Sequence, residues 1–179
     1  MRTKFFWRSA IVAVAAIAML TIQTRTVSAQ EDKYKAMFIY NFTKQIEWPA
    51  NEMNQDFVIC VVNQGDALKA IKSMAQGKMV NDKAISVVGV KNIDEIPECN
   101  ILYLPSSENA DKINSAVAKV GSASTLIISD KPGALENGSC INFVEIDDKI
   151  KYEINKKAIE DRNMKVLFSM AVNDQPIND

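Results

Sequence analysis

Histidine is absent from this chain of 179 residues. Its absence excludes Ser-His-Asp and Cys-His catalysis, imidazole metal sites and the usual proton shuttle at neutral pH. Glycine is scarce as well, with six residues and none arranged as GxGxxG or GxxxxGKS/T, so the familiar phosphate-binding loops are excluded. The spacing of the acidic residues near loops, among them Asp130 and Asp147, matches no calcium-binding loop. We therefore expect no enzymatic activity, no cofactor and no metal site.

Long apolar runs are also few. The run Ser9–Leu20 falls short of the roughly 18 residues that cross a bilayer. Basic residues precede it and the small residues Val27-Ser28-Ala29 follow it, which is typical of a signal peptide with its cleavage site. We predict that residues 1–29 are a cleaved leader and that residues 30–179 form one exported domain; the alternative is an uncleaved membrane anchor. Because the leader is basic and the whole chain carries a net charge of −1, the exported part is acidic and poorly suited to nucleic acid.

The remaining chain alternates between strand and helix patterns. Apolar residues at helical spacing begin at Tyr34 and continue to Ile46, and Trp48-Pro49 is expected to end this helix. Apolar runs predict strands, and amphipathic stretches between them predict helices. The expected strands are 56–63, 83–90, 99–105 and 124–130, the expected helices are 65–78 and 106–121, a hairpin spans 140–155 around Asp148, and a closing helix covers 156–172 with a break near Asn163. This order predicts an α/β single-domain sandwich, with a mixed, mostly parallel sheet, flanking helices and a C-terminal β-hairpin.

Several stretches then resemble one family in the right order. They are "YKAMFIYNFTKQIEWP", "FVICVVNQGDAL", "CNILYLP", "TLIISDKPGALENGSCINFVEIDDKIKYEIN" and "INKKAIEDRNMKVLFSMA". Together they resemble the YfiR-like family of exported, periplasmic bacterial proteins. The resemblance implies a regulator that binds and represses the periplasmic sensory domain of an inner-membrane diguanylate cyclase or sensor kinase, in a cyclic-di-GMP pathway. It also allows a homodimer, and it implies no catalysis.

The chain has three cysteines, and an exported setting favours disulfides. The family resemblance implies that Cys60 and Cys99 pair, and oxidation of this pair would tune fold stability and repression. The alternative is three buried free thiols that pack as small apolar residues. Cys140 opens a strand after a glycine-containing loop, and we expect it to be buried and unreactive.

Two segments are candidates for a surface that binds a partner or ligand. Asn41 and Gln45 are polar residues on the apolar side of the first helix, where the alternative role is a structural hydrogen bond. Trp48 would be a strong interface anchor if exposed, and a core residue otherwise. The candidate loop residues are Lys131, Glu136 and Asn137. A different hypothesis is a small-molecule-binding module, with its site at the carboxyl ends of the strands, in residues 63–66, 105–107 and 130–133.

Overall fold

A mixed sheet of seven strands forms the centre of the fold. The computed structural model describes residues 28–49, 56–63, 65–106 and 110–167. The strands in these residues are β1 Ile46–Glu47, β2 Phe57–Val62, β3 Met79–Val80, β4 Lys83–Val90, β5 Ile101–Leu104, β6 Leu126–Ser129, β7 Ile141–Ile146, β8 Lys149–Ile154 and β9 Lys165–Val166. The large sheet has the order β3-β4-β2-β5-β6-β7-β8, and β1 pairs with β9 in a separate two-stranded sheet.

Five neighbouring strands of the large sheet are parallel: β4, β2, β5, β6 and β7. The chain runs from β2 to β4 on one side, then crosses to β5 and continues to β6 and β7 on the other. Because crossovers are right-handed, the reversal of direction places helices on both faces of such a sheet. The strands β5 and β6 are buried along their whole length, as strands covered on both faces should be. The predicted α/β fold with a mostly parallel sheet is confirmed.

Helices flank this sheet. They are α1 at residues 28–45, α2 Asp66–Ala75, α3 Ala110–Val120 and α4 Lys156–Glu160, with a short 3-10 helix at Ile93–Glu95. The helix α1 packs through Phe42, whose ring centroid lies 4.9 Å from that of Tyr152 and 6.2 Å from that of Phe143. Aromatic pairs at these separations add roughly 0.5–1.5 kcal/mol beyond the area they bury. These rings therefore fix α1 to the face of β7 and β8.

The C-terminal end of α1 differs from the prediction. The helix ends at residue 45, and Ile46 and Glu47 pair with Val166 and Lys165 instead of continuing the helix. Trp48 is only 5% exposed; its indole N–H donates to the carbonyl of Asn100 at 3.3 Å. Pairing with β9, a strand more than a hundred residues later, has overridden the local helical pattern.

The C-terminal part of the chain confirms the predicted hairpin but not the long closing helix. Asp147 and Asp148 both adopt positive φ, at 54° and 56°, which is the geometry of the tight turn that joins twisted strands. The closing helix ends at Glu160 and a turn follows, with Asn163 at φ 56°. The predicted break near Asn163 is therefore correct, whereas residues 165–166 form a strand. Residues 168–172 of the predicted helix lie outside the described part.

The predicted leader lies almost wholly outside the described residues, which begin at residue 28. Its cleavage stays a prediction. Within the described ranges, no helix has both the length and the apolar character that would let it cross a membrane.

Candidate functional site

The first helix is held at the carboxyl ends of the parallel strands by a buried ion pair. Lys35 projects from α1 toward Asp130, the residue that follows β6, and Lys35 Nζ lies 2.6 Å from Asp130 Oδ2. Both side chains are largely buried, with 9% and 15% of their surface exposed. Glu31, one helical turn earlier, is 3.9 Å from the same ammonium group. The helix therefore covers part of the strand ends where the ligand-binding hypothesis expected an open crevice.

Two further titratable groups lie beside this ion pair. Burial raises the pKa of Asp32 above its usual value, and Lys35 opposes that shift only in part. Burial also raises the pKa of Tyr103, with further contributions from the negative charges of Asp130 and Asp32. The Tyr103 hydroxyl is buried near these carboxylates, without a hydrogen bond of good geometry among the described residues. The strand ends thus carry a compact polar cluster of Asp32, Lys35, Tyr103 and Asp130 beside α1, in which Asp32 is only half-buried.

An open cleft lies next to this cluster, between α1 and the β7–β8 hairpin. We call it the α1 cleft; its volume is about 700 Å³. Tyr34, Phe38 and Ile150 supply its apolar wall, and its polar lining residues are Gln30, Glu31, Glu145, Asp148 and Lys149. Tyr34 is 49% exposed. Such a volume falls within the range of small-molecule pockets, and the exposed aromatic ring also suits a protein interface.

Apolar residues extend this surface beyond the cleft. Met37, one turn along α1 from Tyr34, is 58% exposed. Together with the α1 cleft it defines an accessible apolar surface on one side of the helix. Ile146 at the tip of β7 is 36% exposed, but the alternation of the strand directs it to the other face of the hairpin from Phe143 and Glu145. Exposed apolar groups grouped in this way are typical of interaction sites.

The loop between β6 and β7 is held by a buried polar network. Ser129 Oγ donates to Asn142 Oδ1 at 2.9 Å and lies 2.8 Å from Ser139 Oγ. The backbone N–H of Lys131 donates to the same Asn142 oxygen at 2.9 Å. Gly138 has φ 89°, a conformation that glycine adopts at low cost. The loop is therefore a fixed element, and a second cavity of about 430 Å³ lies between its first residues and the β7–β8 hairpin.

The predicted surface residues on the helix do not form one exposed group. Asn41 is exposed, Gln45 is half-buried and Trp48 lies in the core. Of the two roles that the sequence left open for Trp48, the structure shows the core residue, because the side chain is buried and its ring packs edge-on against Phe57 at 5.1 Å. The carbonyl of Gln45 accepts a hydrogen bond from the N–H of Leu167 at 2.8 Å. This part of α1 is thus tied to β9.

The predicted loop residues lie beside the middle of the helix, away from Gln45. Glu136 is exposed, Lys131 is half-buried and the Asn137 side chain donates to the carbonyl of Gly133 at 2.9 Å. The loop begins beside Lys35, and ten helical residues separate Lys35 from Gln45, or about 15 Å at 1.5 Å per residue. The structure therefore does not bring the two predicted segments together.

The cysteine thiols of Cys60 and Cys99 are neighbours. All three cysteines are free thiols in this structure. A hydrogen bond from Cys99 lowers the pKa of Cys60, while the same contact and burial raise the pKa of Cys99. Cys60 is fully buried and Cys99 is half-buried. The two thiols are close enough to shift each other's pKa, and the disulfide itself stays a prediction. Cys140 is buried, and burial raises the pKa of its thiol, which fits the inert role expected of it.

Sequence reasoning missed the residues that contribute most to this region. Tyr34 and Met37 belong to the apolar arc of α1 but are exposed, and the apolar pattern assigns no role to Lys35. At about 100° per residue, Lys35 falls between Phe42 and Ile39 on the helical wheel. A lysine in the middle of an apolar face requires a buried partner, and that signal points to an acidic residue at a strand end.

Comparison with known proteins identifies the family of this chain. Residues 32–170 match the model of the YfiR/HmsC-like family. No curated protein matches the chain.

Proposed function

Because this chain belongs to the YfiR/HmsC-like family, whose members are in general periplasmic regulators and not catalysts, we propose that it represses an inner-membrane signalling enzyme. The partner would be a diguanylate cyclase or a sensor kinase, and the contact would be made with its periplasmic sensory domain. Repression requires only that the regulator bind the inactive conformation of that domain more tightly than the active one. The proposal includes a homodimer, as the family resemblance allows.

The observation that carries this proposal is the accessible apolar surface beside the α1 cleft. Tyr34 and Met37 project from one side of a helix that is otherwise fixed by the Lys35–Asp130 ion pair and by its aromatic anchor. A fixed helix loses little conformational entropy when a partner binds, and preorganisation of this kind favours affinity. Aromatic residues and methionine are also enriched at interfaces.

The experiment places a photo-crosslinking amino acid at position 37 of the exported chain, in cells that keep their own membranes. We expect crosslinking to one inner-membrane signalling enzyme. The matched control has the same group at Lys119, an exposed position near the end of α3. The product level of the captured enzyme, cyclic di-GMP for a cyclase, should rise when Tyr34 and Met37 are both changed to Glu. Crosslinking that is equal from both positions, or an unchanged product level, would contradict the proposal.

Redox tuning of this regulator is a finer part of the same proposal. Formation of a Cys60–Cys99 disulfide would release two protons and pass two electrons to an external thiol oxidant of the compartment. The bridge would stabilise the native state and so raise the amount of active repressor. Supporting this idea are the contact between the two thiols and the half-buried position of Cys99, which gives an oxidant access.

A second candidate function is a small-molecule-binding module, and the α1 cleft favours it. Its volume of about 700 Å³ and its mixed apolar and charged lining suit a small amphipathic ligand. The test is a thermal-shift screen of the exported chain with no protein partner present, repeated with Phe38→Ala, which alters the wall of the cleft. A ligand that stabilises the native chain but not this variant supports the module; stabilisation of both places the ligand elsewhere.

A further inference from the structure

Negative charge is in excess on the walls of the α1 cleft. Its charged lining consists of three carboxylates and one lysine: Glu31, Glu145, Asp148 and Lys149. Glu31 faces the ammonium group of Lys35 at 3.9 Å. Within the residues that the structure describes, Glu145 and Asp148 form no ion pair. Lys149 balances one of these two charges at most, so the cleft keeps a net negative charge that a cationic ligand would neutralise.

Aromatic rings form another wall of the same cleft. Tyr34 is exposed, and Phe38, one helical turn later, is half-buried. The Phe38 ring is held in place by an edge contact with Tyr152, with 5.4 Å between the ring centroids. The face of an aromatic ring attracts a cation that lies within about 6 Å of its centre. Rings next to unpaired carboxylates therefore suit the recognition of an organic ammonium group.

The protein already uses this contact elsewhere on α1. The ring of Tyr40 has the ammonium group of Lys44 at 4.5 Å from its centroid and that of Lys78 at 4.1 Å. In the described part of the chain, no lysine or arginine lies over the ring of Tyr34 or Phe38 in this way. The rings of the cleft are thus available to a cation from outside the protein, whereas the Tyr40 ring is occupied.

We propose that the α1 cleft binds a small organic cation, an ammonium compound with an apolar body. Its charged group would lie near Glu145 and Asp148 and against the rings of Tyr34 and Phe38, and its apolar part would contact Ile150. Among the described residues, no cluster of acidic or thiol side chains has the geometry to hold a metal ion, so the cation is organic. The inference rests on the second candidate function, the small-molecule-binding module, and names the chemical class of its ligand.

The first test compares two probes that differ in charge but hardly in shape. They are choline and its neutral analogue dimethylbutanol, in which carbon replaces the charged nitrogen. Each is titrated into the exported chain without a protein partner, and binding is followed by NMR. We expect choline to bind about tenfold more tightly than the alcohol or better. Salt at about 1 M should remove much of this difference, because it screens the carboxylates of an open cleft.

The second test uses variants to locate the bound probe. Glu145→Gln removes a charge and Tyr34→Leu removes an exposed ring, and each should weaken choline binding about fivefold or more. Phe38→Leu is a further variant, which keeps an apolar side chain in the helix packing. The matched control is Glu98→Gln, an exposed carboxylate that precedes β5 and lies outside the cleft; it should leave choline binding unchanged. The emission of the buried Trp48 reports whether each variant is folded.

The outcomes separate this inference from the function on which it rests. Equal binding of choline and dimethylbutanol would keep the cleft as a small-molecule site and overturn its preference for cations. Binding of neither probe would overturn the inference as well, and the thermal-shift screen would then decide the module on its own. Choline binding that Glu145→Gln and Tyr34→Leu leave intact, or that Glu98→Gln weakens equally, would place the cation elsewhere and overturn the proposed site. None of these results depends on the signalling enzyme.

Discussion

Lys35 and Asp130 form a buried ion pair, with 2.6 Å between Nζ and Oδ2, across 95 residues of sequence. The pair joins the middle of the first helix to the end of the fourth parallel strand. The pair belongs to the polar cluster around Tyr103, and on the other side of the same helix lies the accessible apolar surface formed with Tyr34 and Met37. Lys35 lies on the buried side of α1. Its contact with Asp130 therefore helps to set which side of the helix, with Tyr34 and Met37, is exposed.

Replacing Lys35 with Met should destabilise the fold by about 3 kcal/mol, because Asp130 is left as a buried charge with no ammonium beside it. The matched control is Lys69→Met. Lys69 lies 2.8 Å from Asp66, but those side chains are 78% and 69% exposed, so we expect a change of about 0.5 kcal/mol or less. Urea unfolding followed by Trp48 fluorescence measures both. Equal effects would show that burial does not set the strength of the Lys35–Asp130 pair.

Asp32 should make the fold less stable as pH rises. Burial raises the pKa of this carboxyl in the folded chain above its ordinary value of 3.8. The folded state therefore holds the proton to a higher pH than the unfolded state does, and stability falls as pH rises through that interval. Asp32→Asn removes the effect and should match the parent in stability below about pH 4. At pH 7 the variant should be the more stable, by less than about 1 kcal/mol because solvent screens this partly exposed carboxyl.

The measurement for Asp32 is urea unfolding of parent and variant across this pH range. Asp111→Asn, in the first turn of α3, is the control for loss of a negative charge near a helix N-terminus, and it should slightly destabilise at pH 7. An Asp32→Asn variant that is less stable than the parent at pH 7 would contradict an upward shift of the Asp32 pKa on folding.

The sheet could be predicted from sequence because each of its longer strands is recognisable from the residues of that strand alone. The runs around Ile59, Leu102 and Ile127 are apolar enough to be buried on both faces, and the turn at Asp147-Asp148 separates two β-rich runs. The ribbon of β1 and β9 could not be predicted in this way. Each of its strands has two residues, and only the pairing between them makes either one a strand.

The candidate site was predicted less well because the apolar arc of α1 is wider than the sheet can cover. Tyr34, Met37 and Phe38 all belong to the arc, but only the side centred near Lys35 and Phe42 is buried. The pattern of apolar residues identifies the helix, whereas the contact with Asp130 decides which part of the arc faces the sheet. That contact joins residues far apart in sequence, and hydrophobic periodicity carries no information about it.

The polar network under the β6–β7 loop should be sensitive to loss of its central acceptor. Asn142→Leu leaves the N–H of Lys131 without its acceptor, whereas the hydroxyl of Ser129 can still donate to Ser139 Oγ or to the carbonyl of Ile141. Leaving buried donors unsatisfied costs about 1–3 kcal/mol, and we expect about 2 kcal/mol in urea unfolding. Ser115→Ala removes an exposed hydroxyl that donates to the Asp111 carbonyl and should change stability by under about 0.5 kcal/mol. Similar values for the two variants would contradict a structural role for the network.

The Cys60–Cys99 pair provides the test of redox tuning. A bridge between these positions closes a loop of about 40 residues and should stabilise the fold by roughly 4 kcal/mol in the chain-entropy description. The oxidised chain should therefore lose about that much unfolding free energy when a reductant is added. Cys60→Ala should abolish the dependence on reductant. Cys140→Ala should leave the dependence in place, because that thiol lies against the carbonyl of Ala158, at 3.7 Å. A count of three free thiols in the denatured, unreduced chain would show that the bridge does not form, and the proposed regulator would then act independently of redox state.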